Sequence, residues 1–138
     1  MLVTQPENIA WLLNIRADDV PHTPFALSFG ILKASGRFDW FIDPKRVDAK
    51  TRQHVGDKLH IHASDKLTAS LGKLKTKIRL DPSTTPIWFA AQLGGAEIVH
   101  GEDLCTMAKA CKTKAEIKGT KAAHLRDGAA LCLSLIHI

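Results

Sequence analysis

Apolar and polar positions along this chain change period several times, and each change marks an element. Ile9, Leu12 and Leu13 recur at helical spacing with Trp11 alongside, the stripe expected of a helix with one face on a core. Ahead of it, Thr4-Gln5-Pro6-Glu7 has the form of a capping box with proline inside the first turn, and the helix is predicted to end near Asn14. Prolines and adjacent acids between Arg16 and Pro24 break helical and strand patterns alike and predict a loop. Phe25 to Lys33 and Arg37 to Ile42 then flank Ser35-Gly36, whose glycine tolerates positive φ, so they predict an antiparallel hairpin. In its second strand Phe38, Trp40 and Ile42 alternate with Arg37, Asp39 and Phe41, which predicts one buried face and one partly polar face.

Beyond the hairpin, strands and helices alternate. Asp43-Pro44 pairs a capping carboxylate with a proline and predicts one polar helix running to about Val55. Leu59-His60-Ile61 predicts a strand, Ser64 caps a helix from Asp65 to Leu74, and Lys77 to Leu80 predicts the next strand. Thr85-Pro86 opens a helix to Leu93, Gly94-Gly95 closes it, and Ala96 to Val99 forms a further strand. Gly101 to Lys112 reads as a connection with one helical turn. Thr113-Lys114-Ala115-Glu116 is a second capping box that opens a longer helix, along which Ile117, His124 and Leu131 are spaced by heptads.

The fold class implied is α/β, a mixed sheet flanked by helices. Its core is predicted to gather Trp11, Phe29, Trp40, Ile61, Ile78 and Trp88. The last helix has no strand after it, so Ile117, Leu125 and Leu131 are expected to be exposed for want of partners.

Composition changes this picture little. A chain of 138 residues with 45% apolar and 24% charged residues suffices for one domain with its own core. The formal charge of +5 is dispersed over Lys45-Arg46, Lys73 to Lys77 and Lys109 to Lys121. Solvated helix faces account for it better than a specific nucleic-acid surface. Cys105, Cys111 and Cys132 are odd in number and fit no zinc spacing, which argues for free thiols in a reducing compartment. Neither a leader-like start nor an apolar run of membrane-spanning length is present; the expectation is a soluble, cytoplasmic protein with no membrane partner.

No catalytic constellation emerges from the residues themselves. His60-Ile61-His62 places two imidazoles on one strand face, half of a metal site, but no third ligand stands nearby. Gly94-Gly95 follows a helix instead of preceding one and lacks the lysine of a phosphate loop. Cys111 between lysines and the pair Asp18-Asp19 are weak candidates for activated groups, since adjacent acids in a proline-rich loop usually form turns. The expectation is therefore no catalytic residue and no metal ligand in this chain.

The run Pro6-Glu-Asn-Ile-Ala-Trp-Leu-Leu-Asn-Ile-Arg16, continuing with Asp19-Val-Pro-His-Thr-Pro24, resembles the middle domain of three-domain Xaa-Pro aminopeptidases of the pita-bread (creatinase) superfamily. Phe41-Ile-Asp43, Asp81-Pro82, Lys109-Ala-Cys-Lys112, Glu116-Ile-Lys-Gly119 and Ala122-Ala-His-Leu-Arg-Asp-Gly-Ala129 follow in the family's order. The resemblance implies a creatinase N-terminal-like middle domain over residues 1–108, entered part-way along a strand, with a further domain before it. It also implies a linker and first helix of the pita-bread catalytic domain over 109–132, and a non-native tail over 133–138.

In such a parent, two divalent metal ions, manganese as a rule, would lie in the catalytic domain and activate a hydroxide on the bond before proline. This chain would supply scaffold and a wall of the substrate pocket, with no catalysis and no cofactor of its own. Its partners would be that catalytic domain, peptides with proline second and, in the parent, a second copy. Ala17, where the family often has glycine, and Thr120, where it commonly has methionine, depart from the pattern. Arg16, Asp19 and His22 are the substrate-binding candidates, Asp19 for a peptide's ammonium group, Arg16 to hold that acid and His22 to line the entrance. The alternative reading is a non-enzymatic basic α/β binding module, distinguished by steeply salt-dependent binding to nucleic acid.

Overall fold

The computed structural model describes residues 1–136. They divide into two compact units at the boundary between Thr106 and Met107. The first unit is built on a four-stranded sheet, β1 (Leu2–Val3), β2 (Phe29–Leu32), β3 (Phe38–Phe41) and β4 (Leu59–His62), side by side in that order. The β1/β2 and β2/β3 pairs are antiparallel and β3/β4 is parallel. A two-stranded parallel sheet, β5 (Ile78–Leu80) with β6 (Ile98–His100), adjoins it through packing of β5 against β1. Helices α1 (Pro6–Leu13), α2 (Ala49–Val55), α3 (Leu67–Gly72) and α4 (Ile87–Gln92) alternate with these strands, a mixed α/β architecture.

The predicted hairpin forms around Gly36, whose φ of 78° lets its amide donate to the Lys33 carbonyl at 3.0 Å while Lys33 N–H donates to Arg37 O at 2.9 Å. Glycine is required twice here. Gly30 lies under the ring of Phe38, where a Cβ would come within 2.0 Å of the ring tip. Along β3 and the residue after it, Phe38, Trp40 and Ile42 join one core, as their alternation predicts, but the opposite face also buries Phe41 at 1% exposure.

One core was expected, and two are found, because both faces of the sheet are covered. Phe38, Trp40 and Ile42 join Val3, Ile9, Ala26 and Val47 under α1, with Ile61 packed beside them. Phe41, Ile31, Leu67, Leu71, Ile78 and Phe89 form the other core under α3 and α4, with Phe29 against it. Trp11 is only half-buried, and Trp88, 44% exposed, meets Phe89 edge-on from outside.

Three of the predicted helix starts differ. Gln5, not Thr4, precedes α1 and makes no side-chain cap; Thr4 is drawn into the interior, where its hydroxyl donates to the Thr84 carbonyl at 3.3 Å. The helix expected from Pro44 to Val55 is broken. Asp43 caps only a 3-10 turn over Pro44–Arg46, Val47 turns extended to enter the core, and Asp48 caps α2 afresh by accepting from Thr51 N–H at 2.7 Å. Likewise a 3-10 turn over Ser64–Lys66 precedes α3, whose register is set by burial of Leu67 and Leu71, and Ser64 does not cap it.

A buried polar knot ties the far end of this unit to α1. Asp81, just after β5, accepts from the amides of Ser83 and Asp103, each at 2.9 Å. Asp103 in turn accepts from Asn8 Nδ2 at 2.9 Å and from Cys105 N–H at 2.8 Å, and so starts α5 (Leu104–Ala110), a longer helix than the single turn expected. Each acceptor lies where an unpaired backbone donor would otherwise be buried.

In the second unit the capping box at Thr113 closes as its sequence predicts. Glu116 N–H donates to Thr113 Oγ1 at 3.3 Å and Thr113 N–H donates to Glu116 Oε2 at 2.7 Å. The helix α6 (Lys114–Ile136) has no buried residue, and Ile117, Leu125 and Leu131 are exposed. The tail expected over 133–138 continues α6 to Ile136, and its last two residues lie outside the described ones.

Candidate functional site

The loop that carries the candidate residues begins where α1 ends. Asn14 takes a left-handed φ of 50°, a conformation asparagine tolerates better than most residues, and the chain doubles back so that Ile15 N–H reaches the Ala10 carbonyl at 3.0 Å. Arg16 follows this reversal. Its Nη1 donates to Ala10 O at 3.2 Å and to Ile15 O at 2.7 Å, placing a cation at the C-terminal end of the helix.

Arg16 therefore does not hold Asp19. That role belongs to Arg46, at the end of the 3-10 turn after β3, which donates from both terminal nitrogens to the two carboxylate oxygens, Nη1 to Oδ2 at 2.7 Å. Leu27 N–H donates to the same Oδ2 at 2.7 Å. The Asp19 side chain is 7% exposed and the Arg46 side chain 42% exposed, so the pair seals the loop with its acid inside and its base outside. The hydrogen bonds from Arg46, followed by the Leu27 amide and the guanidinium charge, hold the Asp19 carboxyl below the usual range, with burial acting in the opposite sense. Asp19 joins three segments, the loop, the lead-in to β2 and the exit from β3.

His22 stands at the tip. Val20 to Thr23 closes a turn through Thr23 N–H to Val20 O at 3.0 Å, with Pro21 second and His22 third at a φ of 62°. Proline followed by a positive φ is the signature of type II turns, in which histidine is an unusual third residue. The imidazole is exposed. Arg16, Asp19 and His22 thus share a loop but not a cluster: Arg16 is on α1, Asp19 on Arg46, and His22 faces solvent.

Arg46 was legible only as part of a basic pair assigned to solvated surface. No spacing rule joins it to an acid 27 residues earlier. Arg16 and Arg46 also border a cleft of about 370 Å³ beside the loop, with Trp40 and Ile42 in its lining.

The histidines of β4 lie at the sheet edge. His60 is exposed, while His62 stacks on Phe41 at 5.1 Å between centroids and sits 3.4 Å from Asp39 Oδ1. Cys105 is buried, and Cys111 and Cys132 are exposed and free. Among the described residues no three His, Cys, Asp or Glu side chains are grouped so as to hold a metal ion, and no helix is long and apolar enough to cross a membrane.

A family model of the creatinase/prolidase N-terminal domain matches residues 1–116. This chain belongs to that family. The creatinase/prolidase N-terminal domain described here is similar to a crystal structure of an X-prolyl aminopeptidase from Caenorhabditis elegans, described as a cytosolic enzyme with a di-nuclear active site. The TM-score is 0.82 at 29% identity, over 94% of this chain and 22% of that one. Its homologues in sequence are Xaa-Pro aminopeptidases. Probable Xaa-Pro aminopeptidase P of Paracoccidioides brasiliensis (strain Pb03) is 31% identical over 145 residues, and that of Ajellomyces capsulatus (strain H143) is 31% identical over 146. Each match takes in 94% of this chain, which spans only 23% of either relative's length. A di-nuclear centre of the kind named for the worm enzyme has no ligand set among the described residues.

Proposed function

We propose that this chain is the creatinase N-terminal-like domain of a metal-dependent Xaa-Pro aminopeptidase, an enzyme that removes the residue preceding proline from the start of a peptide. The single observation that supports this best is the worm X-prolyl aminopeptidase, which shares the fold over 94% of the chain at 29% identity. In this reading residues 1–108 form scaffold and pocket wall, and 109–132 are the linker and first helix of a pita-bread catalytic domain. That domain would hold two divalent ions, manganese by preference, and would belong to a cytoplasmic parent that pairs with a second copy. The chain alone is then inactive, because its described residues bring no metal-ligand set together.

Within the pocket wall, Asp19 acts as a positioning residue. Its carboxylate already accepts from Arg46 and Leu27, so its effect on a peptide runs through the loop it fixes. His22, exposed at the tip, and Arg16 are the groups a substrate would meet. In the complete enzyme, His22→Ala is expected to raise KM for short Xaa-Pro peptides with kcat and bound metal retained, the signature of lost binding. Asp19→Ala is expected to raise KM as well, with Asp19→Glu recovering part of the loss. Unchanged KM in both variants would remove the loop from substrate binding.

A further inference from the structure

The cleft beside the loop has a composition that its position in the fold does not require. Its floor is apolar, supplied by Trp40, Ile42, Val47 and Ala26, all buried. Its rim carries the basic side chains of Arg16, Arg46 and Lys50, and no carboxylate is among the residues that line it. Arg46 is neutralised from behind by Asp19. Arg16 uses only Nη1 on the carbonyls of Ala10 and Ile15, so the rest of its fork remains to be used, and Lys50 is exposed and makes none of the ion pairs.

A second observation comes from the floor. Trp40 is 2% exposed, and its indole Nε1–H is the buried side-chain polar atom without a hydrogen-bond partner among the described residues. A buried donor without an acceptor is costly and uncommon. An apolar floor beneath two basic side chains with donors still to be used, Arg16 and Lys50, describes a ligand with a hydrocarbon body and an anionic end. At about 370 Å³ the space is near the small end for ligand sites.

We propose that the cleft between the end of α1, β3 and α2 is a binding site for a small organic carboxylate, its apolar body on Trp40 and Ile42 and its carboxylate between Arg16 and Lys50. Planar donation from the free edge of the Arg16 guanidinium fixes the carboxylate, and the Lys50 ammonium adds a point charge. The site lies within residues of this chain alone and stands or falls independently of peptidase activity in the parent.

The test is a titration of the 138-residue chain with 3-phenylpropionate, followed through the indole N–H resonances, with Trp40→Phe identifying that of Trp40. The expected result is a saturable shift of the Trp40 resonance, a loss of affinity of about tenfold in Lys50→Glu, and comparable weakening when the ligand is the neutral 3-phenylpropanamide. Lys50 is exposed, so its substitution leaves the fold intact. The proposal is overturned if the Trp40 resonance does not respond, if acid and amide bind alike, or if inorganic phosphate produces the same shift at the same concentration.

Discussion

Replacing Asp19 by alanine should loosen the loop by a predictable amount. The variant removes the acceptor for both terminal nitrogens of Arg46 and for Leu27 N–H. A hydrogen bond to a charged group contributes about 1.5–3 kcal/mol when sequestered, but Arg46 is 42% exposed and, once released, is solvated by water. Exposed ion pairs contribute only about 0–1 kcal/mol. Leu27 is exposed at 56%, so its amide also finds water more easily than a core donor would. The net loss is therefore about 1–2 kcal/mol, equivalent to a fall in Tm of about 4–8 °C for a domain of this size. Chemical and thermal unfolding of Asp19→Ala, Arg46→Ala and the double variant would measure it, with a coupling of about 1 kcal/mol between the two sites. Additive losses, with no coupling, would refute the assignment of Arg46 as the partner of Asp19.

Other consequences follow from the same geometry. Gly30→Ala drives a methyl into the Phe38 ring and should cost about 1–3 kcal/mol in denaturant unfolding; a neutral result would show that the ring moves freely. Asp19 and Asp81 have folded pKa values held below the usual range, in each case first by side-chain hydrogen bonds, from Arg46 and Ser83 respectively. Their contribution is thus complete above the unfolded value of about 3.9 and lost as pH falls through the lower folded values. Tm should be level from neutrality down to about pH 5 and fall below about pH 4, and the acid slope should be shallower in Asp19→Asn. Glu116→Ala opens the capping box at Thr113 and should reduce helicity by circular dichroism, with Glu116→Gln retaining most of it.

Much of the architecture was readable from periodicity because period and burial agree there. Alternation in β3 and the Ser35-Gly36 turn specify the hairpin, and glutamate three residues after Thr113 specifies the start of α6. Readings failed where long-range contacts override local chemistry. Thr4 has a cap's sequence but its hydroxyl goes to Thr84, and Val47 breaks a plausible helix because the core takes its side chain. One core became two because Phe41 and Asp39, both on the face expected to be partly polar, differ in fate: the ring is buried under α3 and α4, the acid is held by Lys33 and His62. At the candidate loop, sequence located the residues but not their partners. Arg46 and Asp19 meet only through the path of β2 and β3, which no spacing encodes.

In the proposed function this domain serves an Xaa-Pro aminopeptidase without carrying its chemistry. Release of the first residue from a tripeptide with proline second, measured with added manganese for the 138-residue chain and for the complete parent side by side, tests it most directly. Turnover by the parent and none by the chain alone is the expected result; metal-dependent release by the isolated chain, or an inactive parent, would contradict the proposed function.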